Sequence, residues 1–315
     1  MCRKAVIFGI QEYKLTINEK FLFRKAKPWG IILFSRNIKN TSQLKNLIYD
    51  IKNFFKDKKY PILIDQEGGK VSRLNKINDI IFLSQDFFGQ LYAKDKKLSL
   101  SQYKIHINKV CNILKNIGVN INTVPVLDIR RKKSHNIIGS RSFSENTSVV
   151  SNFGKFCIDL YEKNKIGTVI KHVPGLGLSK CDSHYKTPII KANKKELVRR
   201  DFKPFMASKS PFAMTAHAIY SKYDSYNTAT HSKIIINEVI RNHMNFKGLL
   251  ISDDISMKSL KYGLEENALK ALQAGCNLVL HCNGRIREMS KLIKVIPKID
   301  KFTQKKTSQF YKFLG

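Results

Sequence analysis

The sequence predicts an α/β fold, a (β/α)8 TIM-type barrel forming a single domain over residues 1–315. Three observations lead there. Eight short, nearly continuous apolar runs recur along the chain, amphipathic stretches separate them, and most runs end in an ionisable residue. Apolar runs without alternation mark parallel strands buried on both faces, and helical spacers supply the crossovers that parallel strands need. Eight such strands close a barrel. An open doubly wound sheet is the competitor. Against it, no G-x-G-x-x-G follows a strand, and polar residues end many strands rather than gather at one switch point.

The runs cover residues 5–10, 30–34, 61–64, 119–127, 167–170, 212–216, 248–251 and 276–280. Helices are expected over 41–55, 100–117, 148–163, 194–207, 232–245 and 264–274. Thr41 and Ser232 stand where N-caps are needed, and Gly118, Gly248 and Gly275 where C-caps are needed. The lysines of 94–97 and of the final dozen residues read as solvated surface.

Composition narrows the partners. A hydrophobic content of 43% is ample for a core in a chain of 315 residues. Lys and Arg number 57 against 24 Asp and Glu, a net charge of +33 that attracts polyanions non-specifically. Lysine is spread through the whole chain beside Ile and Asn, with no arginine-rich tail, finger spacing or RNP-like aromatic motif. No specific nucleic-acid partner is therefore expected. Cys2, Cys111, Cys157, Cys181, Cys276 and Cys282 form no CxxC pair and no metal-ligand spacing, so they read as free thiols, and neither a metal nor an organic cofactor is expected. The apolar segment within residues 1–10 is too short for a signal peptide, and no run approaches 18 apolar residues. No membrane span, a cytoplasmic location and a monomer are the expectation.

In a barrel of this kind the strand C-termini face the active site. The residues there are Asp65-Gln66-Glu67-Gly68-Gly69-Lys70-Val71-Ser72-Arg73, then Asp128 with Arg141 shortly after, Lys171-His172, His217, Asp253-Asp254 and His281-Cys282-Asn283. After Lys171-His172 the chain breaks into Pro174-Gly175-Leu176-Gly177 and reaches Asp182-Ser183-His184. Any one of these ionisable groups could be a satisfied structural residue, and an isolated Asp-x-His is more often an Asx-turn. Their convergence points instead to binding and acid–base groups presented at one end of a barrel enzyme.

These motifs carry a resemblance. Lys-His-x-Pro-Gly-x-Gly with Asp-Ser-His, the upstream Asp-Gln-Glu-Gly-Gly-x-Val-x-Arg, the downstream Ser-Asp-Asp-Ile-Ser-Met and the segment Pro-Trp-Gly-Ile-Ile-Leu-Phe-Ser-Arg-Asn at 28–37 occur in order over about residues 5–283. The chain resembles glycoside hydrolase family 3, and within it the bacterial single-domain β-N-acetylglucosaminidases of peptidoglycan recycling. The resemblance implies a retaining exo-β-N-acetylglucosaminidase whose substrate is a small carbohydrate, an N-acetylglucosamine-containing muropeptide. It assigns the nucleophile to Asp253 and the acid/base pair to His184 and Asp182. It assigns contacts with the sugar to Asp65, Arg73, Arg141, Lys171 and His172, with His217 as pocket lining. Asp182 beside His184 favours the imidazolium, the form able to protonate a departing oxygen.

Some positions depart from the family pattern or stand beside it. Lys70 replaces an Arg and so cannot form a planar fork. Leu176 replaces a His in the Pro-Gly-x-Gly segment, which removes a polar loop contact. Residues 174–177 should form a flexible bridge between the sugar-binding pair and the acid/base pair. Asp254, next to Asp253 on an extended backbone, should point the other way and play a structural part. Two further readings stay open at this point, a phosphorylase that uses phosphate in its second step and a catalytically weakened barrel that binds polyanions.

Overall fold

Each predicted apolar run becomes a barrel strand. The computed structural model describes residues 3–77, 83–131, 135–206 and 208–315, so Cys2 and Ala207, the end of one expected helix, lie outside it. Eight parallel strands pair in chain order and the last closes on the first. They are β1 (Lys4–Gly9), β2 (Pro28–Leu33), β3 (Ile62–Ile64), β4 (Ile121–Asn122), β5 (Gly167–Val173), β6 (Phe212–Thr215), β7 (Leu249–Asp254) and β8 (Leu278–His281). Ile7 of β1 lies opposite Gly30 of β2 on one side and Leu280 of β8 on the other. Every residue of β2 and β5 is buried, as strands covered on both faces must be. The fourth run pairs regularly over far less than 119–127. Pro125 has no N–H to give the ladder, and pairing resumes only as a bridge between Val126 and Lys171.

Helices Thr41–Phe54, Lys96–Ile117, Thr147–Lys163 and Leu264–Ala274 lie close to expectation. Gly118 and Gly275 end two of them in the left-handed conformation. Other caps differ. Asn40, not Thr41, accepts the first-turn N–H, that of Gln43 at 2.9 Å. Gly248 caps nothing, because the helix before it ends at His243 and the left-handed turn that follows falls on Asn245, at φ 53°. Ser232 does cap that helix by accepting the Ile235 N–H at 3.1 Å. From Ile235 to His243 the helix is wound as a π-helix. The helix expected over 194–207 splits into Lys194–Arg199 and Lys203–Met206. Pro204 has no N–H to offer the Arg200 carbonyl, so a continuous helix would leave that carbonyl unpaired. Helices Ile17–Ala26, Gln85–Lys94 and Ile286–Val295 complete the outer ring beyond those expected.

The lysine-rich C-terminal residues are not simply solvated. Lys301–Leu314 is a helix whose Thr303, Thr307 and Phe310 are buried. Their spacing puts them on one face, while the lysines between them keep their charges in water. Phe310 meets Phe212 edge-on at 5.1 Å, and the Trp29 indole N–H donates to Thr307 Oγ1 at 2.8 Å. The helix therefore packs against the N-terminal end of the barrel and leaves the other end to the site. Lys94 to Lys97 are exposed, as expected. No helix among the described residues is long and apolar enough to cross a membrane.

Candidate active site

At the C-terminal ends of the strands lies a cavity of about 190 Å³, and seven of the eight expected site residues line it. They are Asp65, Arg73, Arg141, Lys171, His172, His184 and Asp253. Asp182 stands behind His184. A wider cavity of about 560 Å³ lies at the opposite end, beside Phe212 and Phe310, and its lining contains Glu162 and lysines but no histidine. A single carboxylate without a partner acid or base does not make a hydrolytic centre, so the smaller cavity is the candidate.

β5 supplies two adjacent lining residues. Consecutive strand residues ordinarily face opposite sides, but the β5–β6 register slips between Lys171 and Val173. Such a bulge re-aims side chains, and both Lys171 and His172 reach the cavity. The Lys171 ammonium, only 3% exposed, donates to Glu67 Oε1 at 2.6 Å, Thr123 Oγ1 at 2.7 Å and Asp65 Oδ1 at 3.3 Å. Arg141 forks onto Glu67 through Nε at 2.8 Å and Nη2 at 2.9 Å. Arg73 reaches Asp65 at 3.3 Å. Thr123 also donates to Asp65.

Burial alone would raise the pKa values of these carboxylates, and their neighbours overcome it. Arg141 and Lys171 hold Glu67 down at about 2. Lys171 and Arg73 hold Asp65 well below the usual carboxylate range. Burial works against the charge on Arg141 as well, yet Glu67 raises its pKa above the ordinary value. This side of the cavity is thus an interlocked ionic lattice.

His172 is fixed from behind. Its Nδ1 lies 2.7 Å from Asp128 Oδ2, and its backbone N–H points to the same carboxylate at 3.3 Å. Asp128 accepts the Nδ1 proton in this network and so orients the ring with Nε2 3.4 Å from Arg141 Nη2.

Asp253 and Asp254 do not diverge as expected. Both line the cavity, because four β7 residues span the register that three β8 residues cover, from Ile251 opposite Leu278 to Asp254 opposite Leu280. Their surroundings separate them. Asp254 Oδ1 is occupied by the Ser256 N–H at 3.1 Å and hydroxyl at 2.9 Å. Asp253 accepts the Asp254 N–H at 2.8 Å and no other donor among the described residues. Burial pushes the Asp253 pKa up, but His217, His172 and that N–H outweigh burial and lower it, so the carboxylate is ionised. His217 is not pocket lining. It is buried, with Nδ1 on Thr230 Oγ1 at 2.7 Å and Nε2 on the Asp254 carbonyl at 3.0 Å. Burial lowers its pKa despite the nearby Asp253.

Residues 174–177 are not a flexible bridge either. All are buried, and Leu176 both joins the core and walls the cavity. The Leu176 N–H donates to Asp128 Oδ1 at 2.6 Å, and the Tyr220 hydroxyl donates to the Gly175 carbonyl at 2.7 Å. Gly175 sits at φ +132°, and a Cβ on Gly177 would fall 2.0 Å from the Ile129 carbonyl oxygen, so both positions need glycine. Apolar packing holds this segment where a polar contact was expected to be missed. Lys70 is exposed.

The Asp182–His184 pair differs in setting. His184 Nδ1 lies 2.7 Å from Asp182 Oδ1, and the His184 N–H donates to the same oxygen at 2.8 Å. The imidazole is 58% exposed, with Nε2 turned from Asp182. Burial nudges the Asp182 pKa up, but the N–H and imidazole of His184 lower it overall.

A family model for the glycosyl hydrolase family 3 N-terminal domain matches residues 13–309. The chain belongs to that family. It is 34% identical over 290 residues to a beta-hexosaminidase of Haemophilus influenzae, covering 89% of this chain and 80% of the relative. It is 32% identical over 288 residues to a beta-hexosaminidase of Neisseria meningitidis serogroup A, covering 89% of this chain and 78% of the relative. Among solved structures it is similar to NagZ from Neisseria gonorrhoeae in complex with N-trifluoroacetyl-D-glucosamine, with a TM-score of 0.88 and 28% identity over 100% of this chain and 90% of that one. A family 3 glycoside hydrolase is what the barrel, the cavity and these likenesses describe together.

Within this family 3 site, sequence reasoning passed over Glu67, Thr123 and a role for Asp128. Glu67 had a signal, since it falls two residues after Asp65 and so on the same side of an extended chain. Asp128 had one too, as the carboxylate that ends the fourth apolar run. Thr123 had none.

Proposed function

We propose that this family 3 hydrolase is a retaining exo-β-N-acetylglucosaminidase that releases N-acetylglucosamine from muropeptides. The observation that carries the reading is Asp253, an ionised carboxylate with one hydrogen bond, in one cavity with a histidine that a second carboxylate orients. The relatives named beta-hexosaminidase, and the bound N-trifluoroacetyl-D-glucosamine of the gonococcal protein, support the choice of sugar.

In the first step Asp253 attacks the anomeric carbon while the His184 imidazolium gives its Nε2 proton to the departing oxygen. The C–O bond to the aglycone breaks and a glycosyl ester forms on Asp253. In the second step neutral His184 takes a proton from water, the hydroxide oxygen attacks the same carbon, and Asp253 leaves. Two inversions give net retention. Asp182 holds the imidazole by Nδ1, so that Nε2 faces the reaction and the positive charge of the first step is stabilised. Asp65, Arg73, Arg141, Lys171 and His172 hold the sugar hydroxyls and acetamido group. Their lattice is assembled before substrate arrives, so little ordering is left to binding.

The test is release of nitrophenol from nitrophenyl β-N-acetylglucosaminide with and without phosphate. The reading predicts N-acetylglucosamine as product at a rate indifferent to phosphate. Sugar phosphate as the product would assign the chain to the phosphorylases. No release by folded protein would overturn the glycosidase reading.

A further inference from the structure

Asp128 does not line the cavity, yet its carboxylate is shared between the two halves of the site. One oxygen accepts from the His172 ring and the other from the Leu176 N–H, at 2.7 and 2.6 Å. From Leu176 the hydrogen-bond path continues toward the acid/base loop. The Leu176 carbonyl accepts the Ser179 N–H at 3.0 Å, and the Ser179 hydroxyl donates to the Cys181 carbonyl at 2.5 Å. The His135 N–H closes onto the Ser179 carbonyl at 2.8 Å. Asp182 follows directly and holds His184. Ser179 is 1% exposed, so the root of an exposed loop is itself buried.

We infer that Asp128 is a positioning residue that joins sugar binding to proton transfer, fixing the His172 ring with one oxygen and the root of the Asp182–His184 loop with the other. The inference rests on the β-N-acetylglucosaminidase reading for the roles of His172 and His184, while the linkage itself rests on geometry alone. Only a carboxylate can do both jobs. It accepts on two oxygens, whereas an amide accepts on one and donates from the other. In Asp128→Asn, placing the amide oxygen on the Leu176 N–H sets its NH2 against the Nδ1–H of His172. The ring then shifts its proton to Nε2, where it faces the Arg141 donor. The reverse orientation sets the NH2 against the Leu176 N–H and frees the loop root. Either arrangement breaks one half of the clasp.

The experiment compares wild type, Asp128→Asn and Asp128→Ala on aryl β-N-acetylglucosaminides with good and poor leaving groups. Ring 15N shifts of His172 and amide hydrogen exchange from Leu176 to His184 are measured on the same proteins. Misplacing a general acid costs most where the leaving group needs a proton, so kcat should fall about 10²-fold on poor leaving groups and far less on good ones. Asp128→Asn should also shift the His172 ring signature or raise exchange along the loop, and Asp128→Ala should do both. A merely structural aspartate would lower the active fraction equally for every leaving group. Equal loss across the series, with ring shifts and loop exchange as in wild type, overturns the inference. If wild type releases no sugar, the functional reading fails, and the ring and exchange data still decide whether Asp128 links the two segments.

Discussion

The two sides of the cavity are built on opposite terms. On the binding side, Lys171 is 3% exposed and Glu67 1%, and every charge meets a partner within hydrogen-bond reach. On the acid/base side, His184 is 58% exposed and is held by one carboxylate two residues away. In the proposed mechanism the difference tracks what each side must do. A sugar-binding lattice works best when it is rigid before the ligand arrives. A proton donor and acceptor that serves first an aglycone oxygen and then water needs access to both, and exposure provides it. Lys171 and His172 sit on β5 and Asp65 directly follows β3, with Glu67, Arg73 and Arg141 in connections between strands, whereas Asp182 and His184 stand on a loop after β5.

That contrast breaks most visibly at Glu67. Glu67→Gln removes the anion shared by Arg141 and Lys171, leaving Arg141 without its ion-pair partner and Lys171 with Asp65 alone, which should cost about 3–5 kcal/mol of stability. Denaturant unfolding measures it. A loss below about 1 kcal/mol would mean that the lattice is far looser than its distances suggest. His184→Ala should do the reverse. An exposed side chain leaves stability within about 0.5 kcal/mol of wild type, while kcat on substrates with poor leaving groups falls about 10²–10³-fold. Equal loss with every leaving group would contradict the acid role.

Acid sharpens the same comparison. Glu67 titrates at about 2 in the folded chain against an ordinary value of 4.5, and Asp65 is depressed as well. A carboxylate depressed by folding stabilises above its unfolded pKa, and that stability is lost as pH falls through the folded value. Stability should therefore decline from about pH 4.5 toward about pH 2, and Glu67→Gln should flatten that slope. An unchanged slope in equilibrium unfolding would show that Glu67 is not part of it. The smallest effect belongs to Lys70. Exposed at the rim, its replacement by Ala should leave kcat/KM within about twofold, and a larger change would place it in the site after all.

How much of this was legible in the sequence follows from the same physics. The eight strands were, because burial on both faces forces apolar runs, and these are too short for helices and alternate with amphipathic spacers. The meeting of the candidate residues was, because each follows such a run or a motif, and seven of the eight line one cavity. The facing of Asp254 was not. It depends on a slip between β7 and β8 that the sequence does not encode locally. Nor was the fixity of residues 174–177, which comes from Asp128 and Tyr220, far away in the chain. The C-terminal helix was hidden by its lysines, although Thr303, Thr307 and Phe310 carried the helical spacing throughout. Short-range pattern showed which residues have chemistry to offer, and long-range contact decided which of them are held and which are free.

In the proposed mechanism Asp253 carries the sugar between the two steps. Denaturing quench of the enzyme during turnover of a slow fluorinated aryl β-N-acetylglucosaminide, followed by peptide mass spectrometry, tests it directly. A glycosyl adduct is expected on the peptide containing Asp253, fragmenting to that carboxylate and absent in Asp253→Ala. An adduct on Asp254 or another carboxylate, or full activity in Asp253→Ala, would contradict it.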